Sequence, residues 1–195
     1  VYKLNQKHLT GDLIMTTATQ KLELVNDAVR SRAGKYLTFG LGEEEYGLEI
    51  LKVREIIGYV EVTSVPQTPD YVRGVINLRG QVIPVVDIRS KFGMASVERT
   101  EATCIIVVEI THDDDKINTG VVVDRVQEVL DIDGEQIEAA PEFGSSVNTD
   151  FILGICKIGN AVKILLDIDK VLCNDDITGF ADKAAREEIP MANEL

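Results

Sequence analysis

Arg79 is the side chain of this sequence best placed to act on something else. It stands in Leu78-Arg79-Gly80-Gln81, between Arg73-Gly74-Val75-Ile76-Asn77 and Val82-Ile83-Pro84-Val85-Val86-Asp87. The two Val- and Ile-rich runs read as strands, and Gly80 takes positive φ without steric cost, so the chain reverses there. A guanidinium has five donors and is costly to bury unpaired, so the turn carries it outward. On a stiff hairpin tip it is a positioned recognition group. The plainer alternative is that it only solvates a turn.

Residues for covalent or metal chemistry are scarce. The only histidines are His8, in a polar leader, and His112, in an Asp-rich turn. A Ser-His-Asp or Cys-His arrangement would have to recruit one of them. Cys104, Cys156 and Cys173 lack the spacing of a metal knuckle or redox motif. Cys104 and Cys156 lie in apolar strand patterns, where Cys acts as a small hydrophobe. There is no phosphate loop, and Glu45 occupies the third glycine position of a dinucleotide fingerprint begun by Gly40-Leu41-Gly42. A calcium loop around Gly134 would put Val129 and Ala140 where acidic ligands are required. The run Asp113-Asp114-Asp115 reads as a solvated turn. No catalytic residue, cofactor or metal is expected.

The elements that must position Arg79 are short strands. The 195 residues make one domain or two subdomains sharing a core, with 45% hydrophobic residues and no Trp. The apolar runs are too short to span a bilayer, and residues 1–35 carry no secretory signal, so a cytoplasmic protein is expected. The net charge is −13: residues 1–35 hold a net +3 and the rest −16, which disfavours nucleic acid and anionic membrane as partners. Residues 1–35 read as a polar, mobile leader, and 173–195 as an acidic tail with a short helix.

Between them, residues 36–41 and 46–50 form a hairpin with an acidic tip, followed by a helical turn at 51–54 and a strand at 55–60. Asp70 is placed to cap a short helix at Tyr71. After the Arg79 hairpin and a helical turn at 88–92 come strands at 103–110, 117–123 and 125–132. Strict alternation in the last puts Val126, Leu130 and Ile132 on one face and Val129 outward on the other. Residues 134–143 read as a loop, 151–158 and 161–167 as a hairpin, and 168–172 as a helical turn. About ten short strands with turn signals every 8 to 12 residues indicate an all-β protein of small antiparallel barrels. Paired strands ending in a helical turn recur in both halves, suggesting two similar barrels.

Three segments carry a family resemblance. They are Tyr46-Gly47-Leu48-Glu49-Ile50 leading into Val53-Arg54-Glu55-Ile56, then Arg73 to Gly80 running into Ile83-Pro84-Val85-Val86-Asp87-Ile88-Arg89, and Pro141-Glu142-Phe143. Over residues 36–172 the chain resembles CheW, the coupling protein of bacterial chemotaxis. The resemblance implies two five-stranded SH3-like barrels packed around a shared core with short helical turns, with approximate halves 36–98 and 99–172 between which strands can cross. It implies an adaptor without catalysis, recruited to membrane-associated arrays, that bridges the cytoplasmic tips of methyl-accepting chemoreceptors to the histidine kinase CheA.

By the same resemblance, receptor contact falls on Ile50, Val53, Glu55, Gly74, Arg79 and Gly80. Pro141 and Phe143 would meet the kinase or another CheW-like protein in a ring, and Val126 and Val129 an unassigned partner. By residue type alone, Ile50 and Val53 fit a core, Gly74 and Gly80 backbone geometry, and Glu55 a strand-edge charge. Phe143 lies in a polar loop, where a large ring either seeks a partner or folds back over a barrel end. The start at Val1 keeps open a C-terminal fragment of a CheA-type kinase. A small-ligand-binding barrel is a third reading, and it requires a polar pocket that the sequence does not announce.

Overall fold

The structure, a computed structural model, describes residues 27–112, 115–141, 149–159 and 161–172. Among these the chain forms strands β1 (Gly34–Leu41), β2 (Glu44–Glu49), β3 (Val53–Gly58), β4 (Val72–Leu78), β5 (Gln81–Asp87), β6 (Cys104–His112), β7 (Asp115–Val123), β8 (Arg125–Ile132), β9 (Ile137–Glu138), β10 (Ile152–Ile158) and β11 (Ala161–Leu166). Two short helices, α1 (Ile88–Lys91) and α2 (Ile168–Leu172), follow β5 and β11. The strands build two small barrels of the SH3 kind. One sheet runs β8-β1-β2-β11-β10-β9 and the other β3-β6-β7-β5-β4.

The sheets are not successive halves of the chain. β1 and β2 join β8 to β11, while β6 and β7 join β3 to β5, so strands cross the division near residue 98. Two parallel pairings knit this arrangement, β2 with β11 and β5 with β7. The first sheet has six strands rather than five because residues 137 and 138, expected in a loop, pair with β10. A capping box closes the 3-10 turn Gly134–Gln136 before them: the Asp133 side chain accepts from the backbone and the Gln136 side chain accepts from Asp133 N–H. In the second barrel the free edges are joined by a bridge between Thr63 and Val75, with two hydrogen bonds of 2.9 Å.

Alternation along the strands feeds three cores. In β6, Cys104, Ile106, Val108 and Ile110 enter the core shared by the two sheets, whereas Ile105 and Val107 fill the second barrel. Both faces are covered, so the segment reads as a continuous apolar run. The first barrel is filled by Tyr36, Ile132, Ile137, Cys156, Leu165 and Val29. Val29 and the strand start at Gly34 correct the leader expectation for residues 27–35. There a helical turn precedes β1, and the Arg32 guanidinium donates to the Leu153 carbonyl at 2.8 Å. A row of rings, Phe39, Tyr46, Phe92 and Phe151, with centroids 5.5 to 5.9 Å apart, crosses the shared core.

No helix forms at Tyr71. The Val72 N–H instead closes a turn onto the Pro69 carbonyl, and β4 starts at once. The segments Asp70-Tyr71-Val72-Arg73-Gly74 and Asp150-Phe151-Ile152-Leu153-Gly154 open two hairpins of the same plan, 80 residues apart. Each ends on an Asp-Ile pair at a helix start, Asp87-Ile88 and Asp167-Ile168.

Candidate functional site

The Arg79 hairpin has the two-residue loop expected from its sequence. Leu78 pairs with Gln81, and Arg79 and Gly80 both take positive φ, 53° and 87°. This is the mirror-image turn whose twist matches the flanking strands. Asn77 Oδ1 accepts from the Gly80 N–H at 2.8 Å and fixes the loop. Glycine is at ease there, but a Cβ-bearing Arg79 is held in a sparsely populated region. Its side chain is 80% exposed, and Nη2 donates to Glu55 Oε2 at 2.8 Å.

Glu55 and Arg79 are 24 residues apart in sequence and meet at one mouth of the second barrel. A bulge after Val53 sets this up. Val53 pairs with Val108 and Ile56 with Ile106, on the shared-core side, whereas Glu55 pairs with Val107, on the barrel-interior side. An ion pair this open to solvent contributes only ~0–1 kcal/mol to stability. Its consequence is orientation: the guanidinium is held in one place at the rim.

The 3-10 turn Ile50–Lys52 crosses from β2 of one barrel to β3 of the other. Ile50 and Val53 pack, half-buried, against the shared core. Leu51 between them is 90% exposed, more than any other large apolar side chain among the described residues. Sequence reasoning did not single it out. The available signal was the run Glu49-Ile50-Leu51-Lys52-Val53, in which a single tight turn cannot bury three apolar side chains. Lys52 ties the turn to α2 through an ion pair of 2.5 Å with Asp169.

Strict alternation fails in β8. Val126 pairs with Phe39 and Val129 with Leu37, because a bulge at Thr38 inserts an extra residue in β8. Thr38 Oγ1 donates to the Glu128 carbonyl at 2.8 Å and accepts from its N–H at 3.2 Å, which locks the bulge. Phe39 and Leu37 both belong to the shared core. Val126 and Val129 therefore lie on one face, not on opposite faces, and Leu130 is turned to the first barrel's interior instead. Val126 is half-buried against the shared core, which also holds Cys104 of β6.

Around the edge strands β3 and β8, Ile50, Val53 and Val126 are half-buried against the shared core, and Leu51, Ile56 and Val129 are exposed.

Gly74 has a structural role. It adopts φ +135°, and a Cβ there would lie 2.0 Å from the Thr63 carbonyl oxygen, at the bridge that closes the barrel. Pro141 is exposed beyond β9. Phe143 lies outside the described residues. Among those residues no cluster of His, Cys, Asp and Glu is arranged to hold a metal ion. Burial pushes the Cys104 and Cys156 thiols above their ordinary pKa, which suits packing rather than nucleophilic attack. No helix among the described residues is long and apolar enough to cross a membrane.

A family model described as "CheW-like domain" matches residues 35–175. The chemotaxis protein CheW of Klebsiella aerogenes is 42% identical over 152 residues, covering 78% of this chain and 89% of that protein. That of Treponema pallidum is 29% identical over 157 residues, covering 80% and 91%. The crystal structure of the scaffolding protein TtCheW from Thermoanaerobacter tengcongensis superposes with a TM-score of 0.65 at 35% identity, over 74% of this chain and 95% of that one. Twin barrels, the Arg79 hairpin and the family match over most of the sequence agree, and the chain belongs to the CheW-like domain family.

Proposed function

We propose that this chain is a chemotaxis adaptor that couples chemoreceptor tips to the histidine kinase CheA and catalyses no reaction itself. The observation that carries the reading is the pair of exposed apolar side chains Leu51 and Ile56, before and within β3, with the Arg79–Glu55 pair at a mouth of the same barrel. An apolar centre flanked by charge is the anatomy of a protein contact. In this reading Ile50, Leu51, Val53, Glu55, Arg79 and Gly80 meet the receptor, and Gly74 supports them by shape alone. Val126 and Val129, on β8, serve a partner that this reading leaves unassigned. Pro141 and Phe143 serve the kinase or a neighbouring CheW-like protein. Control of the kinase requires the adaptor to bind its on and off arrays unequally, because equal affinity shifts nothing.

Reconstitution with receptor signalling tips and CheA tests this directly. Kinase rate should respond to receptor only when the adaptor is present. Arg79→Glu should weaken tip capture roughly tenfold or more through reversed charge. Leu51→Asp should remove ~2 kcal/mol of binding, with an unchanged melting temperature because Leu51 touches little of its own fold. Undiminished capture by both variants refutes the receptor assignment. A kinase rate indifferent to the adaptor refutes the coupling.

A further inference from the structure

The two mouths of the second barrel differ. One is clasped by Arg79 and Glu55. The opposite one, where β3 ends and β4 begins, opens as a cavity of about 620 Å³. Its lining includes Tyr59 and Val122, which belong to the barrel's own core, so the cavity is a mouth and not a surface crease. Barrel mouths of this size are preferred sites for small ligands.

The charges around it are balanced but not all paired. Arg73 donates from Nε and Nη2 to Asp87 Oδ2, at 3.0 and 2.5 Å. Arg89 donates to Asp124 Oδ2 at 2.6 Å and to the Ala95 carbonyl at 3.1 Å. Both pairs are internally neutral and hold the wall rigid. Two charges on the connection between α1 and β6 remain. The Arg99 guanidinium carbon lies over the Tyr59 ring, 4.4 Å from its centroid, and Arg99 forms no ion pair among the described residues. Glu98 also has no ionic partner among them, and both line the cavity. Met94, Val97 and Val122 supply the apolar part of the lining.

An unpaired cation and an unpaired carboxylate on one neutral cavity match a ligand that carries both opposite charges. A simple anion would meet Glu98, and a simple amine would meet Arg99. We propose that this mouth binds a small organic zwitterion, an α-amino acid with an apolar side chain, with its carboxylate on Arg99 and its ammonium on Glu98. The site lies at the opposite mouth of the barrel from Arg79 and does not rest on the adaptor reading.

Calorimetric titration at fixed ionic strength, with two-dimensional amide NMR of the full chain, tests it. The probes are L-leucine and L-phenylalanine, with succinate and isobutylamine as single-sign controls. Saturable binding of at least one amino acid is expected, with shifts centred on Tyr59, Ser90, Ser96 and Arg99. Arg99→Met and Glu98→Gln should each weaken it roughly tenfold, the loss for one charge-assisted hydrogen bond. Both side chains are on an exposed connection, so the fold should persist, and Arg79→Glu should leave binding intact. Failure of both amino acids to bind, equal binding of a control, or undiminished binding in Arg99→Met overturns the proposal.

Discussion

The hairpin β4–β5 and its counterpart β10–β11 follow one plan in their frames and diverge at particular side chains. In both, a turn carbonyl accepts the first strand N–H at 2.9 Å, from Val72 to Pro69 and from Ile152 to Thr149. In both, the closing Asp N–H reaches back 2.8 Å to an aromatic residue's carbonyl, Asp87 to Tyr71 and Asp167 to Phe151. Each Asp then caps a helix, with Oδ1 accepting at 3.2 Å from Ser90 or Lys170. A bulge follows the first strand residue of each, and a glycine comes next.

The differences lie elsewhere. Arg79-Gly80 forms one tip, whereas the other hairpin turns at Gly159, with φ 60°. Ile83 fills the second barrel, whereas the matching Lys163 is buried in the first and pairs with Glu45 across 118 residues of chain. Backbone hydrogen bonding constrains the frame, so it repeats. The tips and barrel ends are free of that constraint and carry the individual chemistry.

The glycines give the strongest way to break the comparison. Gly74→Ala meets backbone strain and overpacking, each ~1–3 kcal/mol, so a loss of ~4 kcal/mol is expected. Gly154→Ala should cost only ~1–2 kcal/mol, since its nearest contact is the Ile137 side chain at 2.5 Å and its φ is not positive. Urea unfolding of both variants decides; equal losses would mean that the second barrel's closure is not specially strained.

The ion pair of the buried Lys163 with the partly exposed Glu45 comes next. Glu45 has its pKa lowered, first by the Lys163 hydrogen bond and then by that of Gln127. Glu45→Gln leaves Lys163 buried without a counter-charge and should cost ~3 kcal/mol near neutrality. A depressed carboxyl contributes stability that is present above its unfolded pKa and lost as pH falls through the folded value. The gap between wild type and variant should therefore be full above pH ~4.3 and close on further acidification. Adding Lys163→Ile, which copies Ile83, should recover most of the loss. A gap that does not change with pH would remove Glu45 from the account.

Smaller effects sharpen the rest. Asp87→Ala loses a cap and the Arg73 pair, at ~2 kcal/mol, while Asp167→Ala should cost ~1 kcal/mol. Thermal melts of the two would separate a shared capping role from the added pair. Arg79→Asn exchanges a strained residue for one that accepts positive φ. It should raise stability by ~0.5 kcal/mol while weakening receptor-tip capture. If capture survives, the tip is only a turn.

Much of this was legible in sequence because hairpin physics is local. The strands on either side of Arg79, the outward guanidinium and the helical turn after Asp87 follow from alternation, one glycine and one cap within a few residues. The repeat beginning at Asp70 and Asp150 was also legible, although the similarity of the two halves was read from their paired strands and helical turns instead. The eleventh strand was hidden because β9 is two residues long. Residues 27–35 were read as leader because what holds them, the packing of Val29 with Ile132 and Ile137 and the Arg32 bond to Leu153, joins segments far apart in the chain.

Tertiary structure alone decided which face each candidate side chain uses. One inserted residue reverses the parity of a strand, so the bulges at Thr38 and after Val53 put Val126 and Val129 together and turned Glu55 toward Arg79. The parallel pairings of β2 with β11 and β5 with β7 join distant segments, so the buried Lys163 and the open barrel mouth leave no local trace. The amino-acid order by itself determined the short strands, their turns and the family. Faces, partners and cavities depended on contacts between residues far apart in the chain, which no local pattern encodes.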